Sequence, residues 1–141
     1  MIVISILLSL VFLILSIIHL NWAIGNTWGL EYALPSSEGG EVIFRPGKFI
    51  TLAVALGLLG FCFFYFINPE PDNPKNWIFD YGRIIIPGIF ALRAIGDFKY
   101  VGLFKKIKNT KFATMDTKFY TPLCTMIAGI GIIVKLFGQA T

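Results

Sequence analysis

Histidine and cysteine are scarce in this chain: 141 residues hold one histidine, His19, and two cysteines, Cys62 and Cys124. A structural zinc site takes four closely spaced ligands, and these three are scattered, with no CxxC pair. No metal and no cofactor are expected, and a haem held by two imidazoles would need the histidines of two copies. Charge is also sparse, at 14% of residues, where soluble domains carry roughly 25%. There is no phosphate-binding loop, no nucleophile elbow and no nucleic-acid module. The net charge of +4 therefore does not point to nucleic acid. It gathers in one loop between apolar runs, and anionic lipid headgroups are the more economical partner.

Apolar residues fill the space that charge leaves, at 56% of the chain. They form four segments, about 2–24, 49–67, 77–98 and 119–137, each close to the ~20 residues that span a hydrocarbon core. The expected fold is all-α, a single integral membrane four-helix bundle over 1–141. The third segment contains Asp80, Arg83, Pro87 and Arg93. It is too polar to face lipid all round and is expected to line the bundle interior, where neighbours let a membrane helix tolerate Pro87 and Gly88. The first segment has no Lys or Arg before it and no small-x-small cleavage site after it, so it is expected to be a retained helix. The connections are a long loop over 25–48, a short one reading NPEPDNPKN over 68–76, and a loop over 99–118 that holds six lysines. Of the twelve Lys and Arg residues, the loops 25–48 and 99–118 and the helix ends beside them hold nine. The positive-inside rule then places those loops in the cytoplasm and both termini outside.

One face of the bundle thus collects His19, Asn21 and Trp22, Arg93 and Asp97, and Asp116 and Tyr120. Arg93 and Asp97 are four apart and share a helix face. Arginine first is the less favourable order, and an aspartate at a helix C-terminus opposes the macrodipole. Arg93 lies about 6 Å deeper than Asp97 by helix rise, and an intramembrane arginine costs about 2.5–3.5 kcal/mol on insertion scales. Either the two belong to a polar cavity at this face, with Arg93 taking an anion, or they form a snorkelling anchor. Ser5, Ser9, Phe12, Ser16 and His19 fall on one face of the first helix. That face is either a close-packing stripe ending in a hydrogen-bonded histidine, or a stripe that delivers a proton donor or acceptor to the mouth of the cavity. Ala53, Gly57 and Gly60, and Cys124, Ala128 and Gly131, read as packing faces of the second and fourth helices. The cysteines differ in depth by roughly 13 Å, which a disulfide does not bridge. Tyr100, Phe104 and Ile107 fall on one helical face beside Lys105, Lys106 and Lys108, a pattern suited to an amphipathic segment on anionic lipid or to the acidic surface of a partner.

Three stretches, HLNW at 19–22, RAIGDFKYVGLFKK at 93–106 and FATMDTKFYTPLC at 112–124, resemble a family of small bacterial membrane proteins known as domain of unknown function 3995. The resemblance runs from the first helix into the fourth and rests on His19, Trp22, Arg93, Gly96, Asp97, Lys105, Asp116 and Pro122. It implies four membrane helices in a bacterial inner membrane and carries no established activity. Three functions stay open. One is binding of an amphipathic or anionic ligand by His19, Trp22, Arg93, Asp97, Asp116 and Tyr120. Another is an enzyme on a lipid-soluble substrate, with His19 and Asp97 as acid and base. The third is an accessory subunit with a membrane-protein partner, or a homo-oligomer.

Overall fold

The computed structural model describes residues 1–67 and 76–138. The proline-containing loop expected over 68–76 lies outside the described residues except for Asn76. Helix α1 is Ile2–Ala23, α2 is the single turn Leu30–Ala33, α3 is Lys48–Ile67 and α4 is Trp77–Ile95. A last helix runs unbroken as α5 Lys111–Met115, a π-helical turn Asp116–Tyr120, and α6 Thr121–Gly138. Asn76 caps α4 by accepting from the Ile78 amide at 3.2 Å, and Thr110 caps α5 by accepting from the Ala113 amide at 3.0 Å. That second cap starts the last helix at Lys111, well before the expected 119, and lets it bury Phe112 and Ala113. Helix α4 stops at Ile95, short of the expected 98, because Gly96 turns to φ 82°, a conformation glycine adopts without penalty.

The chain is all-helical among the described residues, apart from one bridge between Ser36 and Val42. Three helices, α1, α3 and Lys111–Gly138, are long and apolar enough to cross a membrane. Helix α4 has 19 residues but holds Asp80, Arg83 and Arg93. Its packing nevertheless unites it with the others. The core comprises Leu8 and Phe12 from α1, Leu58, Cys62 and Tyr65 from α3, Ile86, Phe90 and Ala94 from α4, and Cys124, Ile127 and Ala128 from α6. Phe12 is its hub, with ring centroids 5.4 Å from Phe90, 5.6 Å from Phe61 and 5.8 Å from Tyr65.

Two antiparallel pairs make up this arrangement. Helices α1 and α3 are joined by the serine stripe: Ser9 Oγ donates to the Cys62 carbonyl at 2.9 Å and Ser16 Oγ to the Ala55 carbonyl at 2.8 Å. Small hydroxyl side chains let the two backbones approach and satisfy themselves in the same contact. Helices α4 and α6 meet at Pro87 and Gly131, where an added Cβ on the glycine would stand 2.5 Å from Pro87 Cγ. A Lys135–Asp80 ion pair joins the same two helices at their far end. Cys62 and Cys124 are both free and buried. A wholly apolar groove of about 350 Å³ runs between α1 and α6, with Leu7, Val11, Met126 and Ile130 among its walls.

The helical face that Tyr100, Phe104 and Ile107 would share in an amphipathic segment is not formed. Residues 96–110 fold as an irregular loop. The amides of Lys99, Tyr100 and Val101 are captured by the Asp97 side chain rather than by helical carbonyls, and Gly102 takes φ 91°.

Candidate functional site

Asp116 lies in the π-helical turn and is completely buried. A π-turn inserts one extra residue into a helix and re-aims the side chains around it, and such turns often mark functional positions. Here the carboxylate is aimed at the end of α4 and the loop that follows. Oδ1 accepts from Arg93 Nη2 at 3.0 Å. Oδ2 accepts from the Gly102 amide at 2.8 Å and from Lys105 Nζ at 3.2 Å. Lys105 also donates to the Gly102 carbonyl at 3.1 Å. Its side chain is only 4% exposed, whereas that of Arg93 is 33% exposed.

The balance of charge is the distinctive feature. Two cations share one carboxylate, and both oxygens of that carboxylate are taken. Arg93 Nη1 is buried with no hydrogen-bond acceptor among the described residues, and so is the hydroxyl of Thr121, five residues on from Asp116. Tyr120, at the end of the π-turn, is half-buried, with its ring 6.0 Å from that of Phe112.

Arg93 therefore pairs with Asp116 and not with Asp97. Gly96 takes the chain off the helix before Asp97, which breaks the i, i+4 register. Asp97 Oδ1 instead accepts from the amides of Lys99, Tyr100 and Val101 at 3.0, 2.8 and 3.0 Å. Further bonds close the loop, from the Leu103 amide to the Ala94 carbonyl at 2.8 Å and from the Lys106 and Ile107 amides to the Lys99 carbonyl at 2.9 Å. Desolvation pushes the Asp97 carboxyl up, but the three amides outweigh it and hold the group below the usual carboxylate range. Because the folded state lowers this pKa, its stabilising effect is fully present above the unfolded value of about 3.9 and is lost as pH falls through the folded value. Hydrogen exchange of the amides at 99–101 should thus accelerate between mildly acidic pH and pH about 3, relative to α-helical amides and after correction for intrinsic rates. In Asp97→Asn the same amides should exchange faster at neutral pH, and the acid step should vanish.

His19 and Trp22 form a separate group at the end of α1. His19 Nδ1 donates to the Leu15 carbonyl of its own helix at 2.8 Å, and its ring meets Trp22 edge-on at 5.1 Å. Trp22 Nε1 donates to the Trp28 carbonyl at 2.7 Å, which folds the start of the first loop back onto α1. Among the six residues singled out from the sequence, the structure joins Arg93 to Asp116, with Tyr120 alongside, and engages Asp97 with its own loop. The sequence does not mark Lys105 as a site residue. Eleven residues separate it from Asp116, roughly 16 Å along a helix, and only the fold of the loop brings them together.

The same face carries a shallow hollow of about 500 Å³ lined by Tyr32, Lys108, Asn109, Thr110, Lys111, Thr114 and Met115. Lys111 bridges it to the first loop through Glu31 Oε2 at 3.2 Å and lies 5.6 Å from the Tyr32 ring centre.

No curated protein and no solved structure matches the chain. The two stretches that carry Arg93, Lys105 and Asp116, and the HLNW stretch at 19–22, lie within a match to a family model over residues 12–131, and the chain belongs to that family, described as Protein of unknown function (DUF3995).

Proposed function

We propose that this protein crosses a bacterial inner membrane with four helices and binds an anionic amphipathic molecule at its cytoplasmic face through Arg93. The shared core supports counting α4 with the three membrane-capable helices. Nine of the twelve Lys and Arg residues sit in or beside the loops at one end, which supports placing that end in the cytoplasm. One observation carries the ligand reading. Arg93 and Lys105 share a single carboxylate, and a buried guanidinium nitrogen is left without an acceptor. An unmatched buried donor of this kind is costly, and an anionic oxygen placed against Nη1 removes that cost. The partial exposure of Arg93 gives such a group a way in.

Native mass spectrometry of protein extracted gently from its own membrane tests this. The expected result is a bound small anionic molecule on the wild-type chain that is lost from an Arg93→Ala variant. Bare protein in both samples would rule out the ligand. A bound protein subunit that survives Arg93→Ala would favour an accessory role instead.

A further inference from the structure

The loop 96–106 is rigid at its base and apolar at its tip. Gly96 and Gly102 pack backbone to backbone, close enough that a Cβ on Gly102 would stand 2.4 Å from the Ile95 carbonyl oxygen. The Asp97 carboxylate ties down three successive amides, and the Gly102 amide is held by Asp116. On this base Phe98 takes φ 65°, unusual for any residue but glycine. The conformation turns its ring outward to stack on Phe104 at 6.0 Å. Phe98 is 58% exposed, and Leu103 and Phe104 are each 60% exposed. A strained backbone that displays apolar side chains to the outside is a poor solution for a loop surrounded by water.

The exposed charges around this tip are mostly positive, with Asp97 the one exposed acid of the loop. Lys99, Lys106 and Lys108 are exposed. The neighbouring acids are engaged, Asp97 by the loop amides and Asp116 by Arg93 and Lys105. The loop joins the end of α4 to the start of the last helix, so it lies where those helices leave the apolar region. We propose that loop 96–106 is a preformed wedge that inserts Phe98, Leu103 and Phe104 into the interfacial layer of an anionic bilayer while Lys99 and Lys106 contact lipid phosphates. Aromatic rings at headgroup level and lysines beside them are the chemistry that layer selects. The inference rests on the membrane reading above but does not require a ligand at Arg93.

Fluorescent labelling of a Leu103→Cys variant, reconstituted in nanodiscs of phosphatidylcholine with or without phosphatidylglycerol, tests the wedge. Both native cysteines are buried, and the unsubstituted chain sets the background. Glu38→Cys, in the exposed tip of the first loop, is the aqueous reference. At Leu103→Cys, quenching by brominated lipid should exceed the reference several-fold and quenching by iodide should be correspondingly weaker. The contrast should grow with phosphatidylglycerol, and Lys99→Gln with Lys106→Gln should abolish that growth. Iodide quenching equal to the reference in both lipid mixtures would overturn the proposal. So would a label open to iodide in pure lipid but shielded in native membranes, since the surface would then belong to a protein partner. Loss of the Arg93 ligand by mass spectrometry with the label still in lipid would leave the wedge standing and remove only the binding site.

Discussion

Asp116→Ala should destabilise the protein by about 3–5 kcal/mol, the range found when one partner of a buried ion pair is removed. The expected readout is a large drop in the thermal midpoint of the detergent-solubilised protein. The substitution strands Lys105, whose side chain is 4% exposed, and leaves the Gly102 amide without its acceptor. Arg93 suffers less, because a third of its side chain already reaches the surface and can move outward. Asp116→Asn should fall between, since its amide oxygen still accepts one bond while its NH₂ group faces donors. Lys105→Met combined with Asp116→Leu should recover much of the loss, because it removes the stranded charge along with the carboxylate. Asp80→Ala is the control. Asp80 pairs with Lys135, but its own side chain is 48% exposed, so the loss should be smaller than at the fully buried Asp116 even though Lys135, 14% exposed, loses its partner. A midpoint for Asp116→Ala no lower than that of Asp80→Ala would refute the account of this cluster.

What the sequence revealed and what it hid divide along physical lines. The four apolar segments were legible because hydrophobic run length is a local property, and three of them prove long and apolar enough to cross a bilayer. The serine stripe of α1 was legible for a related reason. Ser9 and Ser16 repeat at helical spacing, so they had to share a face, and that face is the one bonded to α3. Pairing across the chain was not legible. Arg93 and Asp97 sit at i and i+4, but the register holds only while the helix continues, and Gly96 ends it. The glycine was visible in the sequence, yet a glycine late in a membrane helix is too common to announce a stop. The true partner of Arg93 is Asp116, 23 residues away, and the π-turn that aims it leaves no periodic trace. Lys105 was hidden in the same way. Six lysines in one loop read as a solvated, lipid-facing group, and nothing local separates the buried one from Lys106 beside it.

Gly96→Ala should be nearly as damaging as the loss of Asp116, although it removes no interaction. A Cβ built on Gly96 stands 1.8 Å from the Val101 carbonyl oxygen and 2.4 Å from its carbon. Both are backbone atoms, so no rotamer change relieves the clash. The residue also sits at φ 82° and ψ −164°, a region essentially reserved for glycine, where an L side chain adds roughly 1–3 kcal/mol. The loop would have to lift from the end of α4, which breaks the Leu103–Ala94 bond at 2.8 Å and draws the Gly102 amide away from Asp116. The expected cost is about 3 kcal/mol or more, in the range reserved for strain at a special backbone position. Protease sensitivity should appear within 96–106 before the rest of the protein unfolds. Gly60→Ala and Gly129→Ala make the matching controls. Both are helical glycines whose added Cβ meets nothing within 4 Å, and alanine there should be neutral or stabilise by roughly 0.5–1 kcal/mol. If Gly96→Ala behaved like these two, the loop would not be clamped to α4, and the rigid base required for both the Asp116 cluster and the wedge would be absent. If it instead loosened the loop while α1 and α3 kept their exchange protection, the clamp would be confirmed as a local device set on an independently stable pair of helices.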